Sequence, residues 1–314
     1  HDLNIYLNHL ILSKQIFKVV TKLTKISLDI SMEGRESFAS IAFNEEPLHT
    51  RCWLLPEGRK ARAILFIAHG LGEHSACYDK LVDIFVSKDI LVYSHDHYGH
   101  GLSPGVPGLV SNMQDIVDPV LSHARQIRSA NPGTPIFLMG HSMGGLAAVL
   151  CAKAEPGLFR GLLLNAPALG VNPAFAPAWK ITVGRWLAYL CPQMVMPFSE
   201  MKVEYLTSDE AMREELKNDP LQFSRGVRCA SGLAIIDAIE SLAEYRADFP
   251  FIVLHARPDM LTYYQGSERF FQRAVTEDKE FVSFDNLGHQ LHYEVEPYRS
   301  QVREAMCNWI LSRC

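Results

Sequence analysis

The amino-acid sequence predicts an α/β protein whose central sheet is mostly parallel and is flanked by helices. Six short apolar runs lack the alternation of half-exposed strands, which is typical of parallel strands covered on both faces. These runs are residues 63–68, 90–93, 136–139, 161–164, 251–254 and 280–284. Stretches with helical periodicity separate them, at residues 78–87, 113–129, 144–154, 267–274 and 297–312. Strands that alternate with helices indicate crossover connections and place a functional site at the carboxyl ends of the strands.

The first 25 residues have a different character. Residues 3–25 carry Lys14, Lys18, Lys22 and Lys25 and no acidic residue, and their apolar residues recur at helical spacing. The lysines are too frequent for a transmembrane span. We therefore expect an amphipathic N-terminal helix over residues 1–25, lying either on an anionic membrane or on the protein's own core with its lysines in water. Because the chain opens on His1, we expect its natural start to lie upstream.

Residues 26–165 and 249–314 are predicted to form the core, which begins with short antiparallel strands at 26–30, 37–43 and 49–54. Between them, residues 166–248 have helical patterning without a strand. This insertion opens with an apolar segment at 175–198 and includes a second helix at 231–244. It is either ordinary core or a cap over the active site. Its position directly after a strand favours the cap.

Composition excludes several classes of function. The 314 residues are 48% hydrophobic, which is enough for a large core that needs no disulfide or metal ion for stability. Thirty basic residues against 35 acidic ones give a net charge of −5, so no basic excess exists to bind nucleic acid. The seven cysteines are scattered, without CxxC or zinc-finger spacing. We therefore expect a reducing, cytoplasmic location and neither a metal nor a cofactor.

A candidate nucleophile lies at Ser142. The sequence GHSMG, residues 140–144, directly follows the apolar run 136–139 and precedes a helix rich in small residues. This is the strand–turn–helix setting of the G-x-S-x-G motif, in which glycines two residues before and after the serine permit a sharp turn. We expect the Ser142 hydroxyl to be held above the sheet edge, exposed to substrate.

A serine nucleophile needs a base that is oriented by a carboxylate. In this architecture the chain order is serine, acid, histidine. Asp259 follows the run 251–254 and His289 follows the run 280–284, so both lie at strand carboxyl ends. Asp285 is a weaker competitor for the acid because it precedes the His289 loop.

The oxyanion hole is expected at two backbone N–H groups. Gly70, Leu71 and Gly72 follow the run 63–68, where α/β-hydrolases place one donor, and Met143 follows the nucleophile. The glycines let the backbone approach the ester carbonyl. We assign the N–H groups of Leu71 and Met143 to the developing oxyanion.

Histidines are concentrated after two of the runs: His69, His74, His95, His97 and His100. They could be metal ligands, but no helix nearby supplies a carboxylate partner. Loop histidines that bond to backbone groups are the favoured interpretation.

Four motifs together resemble the monoacylglycerol lipases, a family of serine hydrolases with the α/β-hydrolase fold. They are residues 69–74 (HGLGEH), 94–101 (SHDHYGHG), 140–145 (GHSMGG) and 218–221 (NDPL). The match runs from about Arg51 to the C-terminus. The resemblance implies a triad of Ser142, Asp259 and His289, a lipophilic cap, and a glycerol-binding end that includes Gly70, Glu73 and His292. Two departures are Cys77, where the vertebrate enzymes have an arginine, and Ala256, where a glycine is usual.

The resemblance implies a serine esterase that cleaves monoacylglycerols to fatty acid and glycerol through an acyl-serine intermediate. The alternatives are a lysophospholipase, a carboxylesterase of broader specificity, and a hydrolase-fold protein that binds lipid without turnover. We expect peripheral association with a membrane, and a homodimer through the cap is a further possibility. No cofactor or metal is implied.

Overall fold

The computed structural model describes residues 41–173, 176–197 and 199–314. The expected N-terminal helix over residues 1–25, the strand at 26–30 and most of the strand at 37–43 lie outside the described residues, as do Phe175 and Phe198. The described residues belong to one unit of the chain, Ser40–Cys314. None of the helices within them combines the length and the apolar character needed to cross a bilayer.

The strands form two sheets within the described residues. In chain order they are β1 (Ala42–Phe43), β2 (Glu46–Pro47), β3 (Thr50–Trp53), β4 (Ala63–Ala68), β5 (Ile90–His95), β6 (Ile136–His141), β7 (Gly161–Asn165), β8 (Phe251–Ala256) and β9 (Lys279–Phe284). β1 and β2 pair with each other, and the other seven follow the order β3-β5-β4-β6-β7-β8-β9. Only β3 is antiparallel in this larger sheet. The predicted α/β class is confirmed.

Helices connect the strands and form the insertion between β7 and β8. In chain order they are α1 (Asp79–Ser87), α2 (Gln114–Ala130), α3 (Met143–Ala154), α4 (Ala178–Leu190), α5 (Val203–Leu206), α6 (Glu210–Asn218), α7 (Cys229–Ser241), α8 (Tyr264–Arg273) and α9 (Tyr298–Leu311). Two short 3₁₀ turns, Ser75–Tyr78 and Leu291–Tyr293, complete the regular structure of the described residues. Helices α4 to α7 all lie in the insertion.

The central strands are buried on both faces. Every residue of β4, β6, β7 and β8 is buried, which explains why their sequences do not alternate and are apolar except for His141, Asn165 and His255 near the carboxyl ends. Helix α3 has nine of its twelve residues buried, because its glycines and alanines let it pack closely on the sheet. The edge strand β9 is half-buried to exposed. The core therefore lies around β4, β6, β7 and β8.

The parallel arrangement brings four loops to one edge of the sheet. The loops after β4, β6, β8 and β9 begin at the carboxyl ends of parallel strands, so all four emerge on the same side. They carry residues 69–74, Ser142, Asp259 and His289 respectively. The fold thus brings to one edge of the sheet candidate site residues that are spread over 220 residues of sequence.

The insertion has two parts with different surroundings. Helix α4 packs on α7, yet no residue of α4 is buried. The segment around α5 instead bonds to core loops: the N–H groups of His289 and Gln290 donate to the carbonyls of Tyr205 (2.9 Å) and Leu206 (2.6 Å). Farther along the insertion, the Phe223 N–H donates to the Gly72 carbonyl at 2.9 Å. This second part is therefore joined to the loops at the sheet edge.

Candidate active site

The turn that presents Ser142 is strained. Ser142 has φ 55° and ψ −119°, a positive φ that side chains other than glycine rarely adopt. Its N–H donates to the Asn165 carbonyl at 3.1 Å, and its own carbonyl accepts from Gly145 and Ala168, both at 3.0 Å. These bonds to neighbouring segments hold a conformation that would otherwise relax. Ser142 is half-buried at the junction of β6 and α3.

Glycines are required on both sides of Ser142. A Cβ atom at Gly144 would lie 2.1 Å from the carbonyl oxygen of Ala68, at the end of β4, and one at Gly140 would lie 2.2 Å from the carbonyl oxygen of Gly144. Real Cβ atoms essentially never come so close to backbone. The start of α3 therefore packs directly against the end of β4, which brings Met143 close to the loop that contains Leu71.

Asp259 and His289 meet across the two loops that follow β8 and β9. The Nδ1 atom of His289 lies 2.7 Å from Oδ2 of Asp259. The same carboxylate accepts the backbone N–H groups of Leu261 and Thr262 at 2.8 and 3.0 Å, and the Thr262 hydroxyl at 2.8 Å. The Asp259 side chain has no solvent exposure. Such an acid is held in one position from all sides.

The electrostatics of Asp259 favour its charged form. Burial alone would raise the pKa of this carboxyl, but the charge of His289 and hydrogen bonds from His255 and His289 hold the pKa well below its usual range. Asp285, the weaker competitor, has a side chain that is 78% exposed and pairs with Arg257 instead. The structure therefore pairs His289 with Asp259.

His141, which precedes Ser142, lies against His289. The two imidazole rings are 4.7 Å apart between centroids, and His141 Nε2 lies 3.3 Å from the carbonyl oxygen of His289. The residue that immediately precedes Ser142 in the chain therefore contacts the loop that contains His289. The three residues predicted as a triad all lie on adjoining loops.

The carboxylate of Glu73 is buried at the centre of these loops. It accepts the Gly70 N–H at 2.8 Å, the Tyr78 hydroxyl at 2.7 Å and the Gln290 side-chain amide at 2.7 Å. His141 Nδ1 lies 2.9 Å from it. Glu73 is only 5% exposed.

Glu73 and His141 favour each other's charged form. Burial alone would raise the pKa of Glu73, but the charge and hydrogen bond of His141 hold that pKa well below its usual range. Burial alone would lower the pKa of His141, but the Glu73 carboxylate raises it above the ordinary value. The two side chains therefore stabilise each other inside the protein.

His292 is also buried. Its Nδ1 lies 2.8 Å from the Asn165 amide, and its ring stacks on Tyr78 with an interplanar angle of 8°. Burial lowers the pKa of His292 well below its usual range, so the ring is neutral. Glu73 and His292 thus lie one layer behind the surface of the site, with partners supplied by the protein.

A second group of buried histidines lies behind the residue 69–74 loop. Hydrogen-bond contacts link His69 to the N–H of His97, His97 to His95, and His95 to His123. His69 and His100 also contact backbone carbonyls, as expected for loop histidines. Burial lowers the pKa of all five rings. They are neutral polar groups inside the core.

A different set of residues has metal-ligand chemistry. Within the described ranges, the one group of three potential ligands is His74, Cys77 and Asp219, whose ligand atoms lie within 4.8 Å of one another. His74 Nε2 contacts the Asp219 carboxylate at 2.8 Å, which joins the insertion to the residue 69–74 loop. Burial raises the pKa of the Cys77 thiol well above its usual range, so Cys77 is neutral.

Some residues of the site were missed by the sequence analysis. Gln290, Thr262 and His255 contact Glu73 or Asp259, yet they belong to no motif. Their position in the sequence could have indicated them, because each lies within four residues of Asp259 or His289 at the same strand ends. Only the fold shows which of these neighbours turns inward.

Comparisons with known proteins identify relatives of this chain in both sequence and structure. The family model described as serine aminopeptidase S33 matches residues 59–296. Monoglyceride lipase of Mus musculus is 31% identical over 268 residues, covering 85% of this chain and 87% of the relative. Monoglyceride lipase of Homo sapiens is 31% identical, covering 80% of this chain and 83% of the relative.

Among solved structures, the crystal structure of Paleococcus ferrophilus monoacylglycerol lipase superimposes with a TM-score of 0.75 at 25% identity. The overlap covers 85% of this chain and 99% of that one. The chain therefore shares both sequence and fold with monoacylglycerol lipases over most of its length.

We predict that the protein loses stability as the pH falls from about 6.5 toward 4, because buried histidines resist protonation. Burial lowers the pKa of His100 to about 3 and that of His123 to about 4, against an ordinary value near 6.5. Below about pH 6.5 the unfolded chain binds protons that the folded state does not, so the stability these rings contribute is complete above that pH and is lost toward pH 4. Each ring should cost about 1.4 kcal/mol per pH unit in this window.

Urea unfolding at pH 7.5, 6 and 5 measures the effect. His123→Phe should reduce the change of the unfolding free energy with pH by the contribution of one histidine. The other neutral histidines act in the same direction. The raised pKa of His141 opposes them, because its stabilisation is present at low pH and lost as the pH rises. An unfolding free energy that does not change between pH 7.5 and 5 would contradict the prediction.

Proposed function

This chain belongs to the serine aminopeptidase S33 family of α/β-hydrolases, and we propose that it is a serine esterase that hydrolyses monoacylglycerols to fatty acid and glycerol. One observation carries the proposal: a fully buried carboxylate, Asp259, contacts His289 at 2.7 Å beside the strained turn of Ser142. The likeness to monoglyceride lipases over most of both chains supports the substrate class.

We assign the chemistry as follows. His289 removes the proton of the Ser142 hydroxyl, whose oxygen attacks the ester carbonyl and forms a tetrahedral intermediate. The N–H groups of Leu71 and Met143 bind the oxyanion, each worth about 3 kcal/mol in the transition state. As the first residue of α3, Met143 has an N–H that no carbonyl within the helix can accept.

Collapse of the intermediate breaks the ester bond, and His289 gives its proton to the departing glycerol oxygen. Water then attacks the acyl-Ser142 carbonyl while His289 takes a proton from it. Breakdown of the second intermediate returns the proton to Ser142 and releases the fatty acid. Asp259 holds the His289 ring and stabilises its charged form throughout.

Residues 166–248 form the cap in this proposal, with residues 26–165 and 249–314 as the core. The acyl chain lies beneath the cap, and the glycerol lies at the end of the site near residues 70–77. Gly70, Glu73 and His292 are the residues that we assign to that end. Because Glu73 and His292 are buried, they support the headgroup site from behind.

A lysophospholipid is the second candidate substrate, and one residue favours it. The neutral thiol of Cys77 occupies the position of an arginine in the vertebrate enzymes. Beside it, Asp219 adds a carboxylate to the same end of the site, which suits a cationic headgroup better than an arginine would.

We further propose that the enzyme works in the cytoplasm on a membrane surface. Trp179, Val183, Trp186 and Leu190 follow each other at helical spacing on α4, and each is between 49% and 67% exposed. Residues 156–199 contain no acidic side chain, so this face suits an anionic bilayer, where tryptophan is favoured. By sequence, the lysines at positions 14, 18, 22 and 25 are a second source of attraction to an anionic membrane. The seven cysteines are scattered without a disulfide or zinc spacing, as in proteins of a reducing compartment.

The first prediction concerns the triad. Ser142→Ala should abolish ester hydrolysis, and Asp259→Asn should lower kcat about 10⁴-fold, because an asparagine favours the wrong tautomer of the histidine. Steady-state hydrolysis and labelling by a fluorophosphonate measure both effects. Asp285→Asn is the matched control and should stay near wild type; a large loss there with a mild one at Asp259 would reassign the acid.

The second prediction concerns the substrate. Along a series of monoacylglycerols, each two added methylenes should raise kcat/KM several-fold until the acyl site is full, at about 0.8 kcal/mol per buried methylene. A flat series would indicate a general esterase. Lysophosphatidylcholine of matched chain length separates the headgroups, and a higher kcat/KM for it than for the monoacylglycerol would favour the lysophospholipase.

The third prediction concerns the membrane. Trp179→Gln combined with Trp186→Gln should weaken co-sedimentation with anionic vesicles at least tenfold, since two aromatic side chains are lost from the interface. Hydrolysis of a soluble aryl ester should stay within about twofold, because neither side chain belongs to the proposed triad or oxyanion hole. Added salt should weaken binding as well.

The matched control for the membrane test combines Leu54→Gln with Val275→Gln. These side chains are 53% and 57% exposed and lie at the opposite edge of the sheet. Equal loss of vesicle binding in both pairs would reject the α4 face. Unchanged vesicle binding, together with conversion of a dimer to a monomer by the tryptophan pair, would assign α4 to a homodimer.

A further inference from the structure

Glu73 has no acceptor capacity left for a substrate. An ionised carboxylate offers about four lone-pair sites. Its Oε2 atom accepts from Gly70 and Tyr78, its Oε1 atom accepts from Gln290, and His141 Nδ1 lies within 3.1 Å of both oxygens. All four partners are buried or part of buried loops. A substrate hydroxyl would have to displace one of them.

The four partners of Glu73 belong to four different segments. Gly70 immediately precedes Leu71 in the oxyanion loop, and Tyr78 ends the 3₁₀ turn that follows this loop. His141 immediately precedes Ser142, and Gln290 immediately follows His289. Three of the four are thus adjacent in sequence to a residue that we place in the reaction. One carboxylate fixes the relative positions of all three.

The contact through His141 continues to the base. Both nitrogens of the His141 imidazole face acceptor oxygens, and the Glu73 carboxylate raises the pKa of the ring, which favours the form in which both nitrogens donate. Nδ1–H donates to Glu73, and Nε2–H donates to the His289 carbonyl at 3.3 Å. The position of the His289 backbone is therefore tied to Glu73 by two routes, through Gln290 and through His141.

We propose that Glu73 is a positioning residue that sets the oxyanion loop, the serine turn and the histidine loop in register, and that it does not contact the substrate. The proposal rests on the serine-esterase function proposed above. Because the oxyanion donors act only on the transition state, loss of register lowers kcat and leaves binding of the ground state little changed.

The test compares two esters of the same acid, 1-decanoylglycerol and 4-nitrophenyl decanoate, of which only the first has a glycerol group. Glu73→Gln keeps the shape but loses the charge, and its amide N–H groups face donors. We expect kcat to fall about 10²- to 10³-fold on both esters, as when an oxyanion donor is lost, with KM within about threefold. A loss confined to the glyceryl ester, or seen mainly in KM, would instead make Glu73 a headgroup contact.

A matched control separates positioning from simple loss of stability. Asp96 is likewise a buried carboxylate with several donors, but they are Ser75 and Leu102, not residues next to the triad. Asp96→Asn should lower the melting temperature as much as Glu73→Gln while lowering kcat far less. Equal kcat losses at equal melting temperature would reduce Glu73 to a structural residue and overturn the proposal.

A milder variant covers the case in which Glu73→Gln does not fold. Gln290→Met removes one partner of Glu73, together with an Oε1 atom that has no hydrogen-bond partner among the described residues. We expect an intact fold and a kcat about tenfold lower on both esters, since small displacements of reacting groups are costly. A Gln290→Met enzyme with wild-type kcat would overturn the proposal.

Amide hydrogen exchange gives a readout that does not depend on activity. Glu73→Gln should speed exchange in peptides covering both 69–76 and 285–292, whereas Asp96→Asn should affect the first peptide alone. If the wild-type protein hydrolyses neither ester, the proposed function fails, and exchange still decides the positioning role. Unchanged exchange at 285–292 in Glu73→Gln would reject it.

Discussion

The site depends on how closely the turn at residues 140–144 approaches the end of β4. The carbonyl oxygen of Ala68 lies so close to Gly144 that a Cβ atom at this position would be only 2.1 Å from it. This contact fixes how closely α3 packs on β4, and Ser142 joins the two elements with a positive φ. The strain is offset by hydrogen bonds to Asn165 and Ala168 and by burial of nearly the whole of α3. The two proposed oxyanion donors, the N–H groups of Leu71 and Met143, lie on opposite sides of this contact.

The fold was predictable because its strands are buried on both faces. Continuous apolar runs such as β4 and β6, when helices separate them, are typical of parallel strands that helices cover, and the runs matched the strands to within two residues at their ends. The motif around Ser142 and the order of Asp259 and His289 were predictable for a related reason. Each follows a strand, and parallel strands end at the same edge. The triad roles themselves stay a prediction until the variants are measured.

Other features could not be predicted, because they depend on contacts between distant segments. The partners of Glu73 lie up to 217 residues away from it in the sequence, and no pattern in the sequence links Gln290 to Gly70. Periodicity showed that α4 has an apolar face but not whether another element covers it. Asp285 and Asp259 differ in sequence by little more than their distance from a strand end, yet one is exposed and the other fully buried.

The backbone N–H groups of His289 and Gln290 donate hydrogen bonds to the carbonyls of Tyr205 and Leu206. These bonds limit how such an enzyme can change its specificity. The segment that bonds to the His289 loop lies inside the insertion, so the region that we propose as the cap also supports part of the proposed triad. Exchange of the whole insertion between relatives would remove these two carbonyl acceptors together with α4. Variation confined to residues up to about 197 leaves them in place. Evolutionary drift and protein engineering are therefore free to alter α4, while the stretch from α5 onward must change in step with the core.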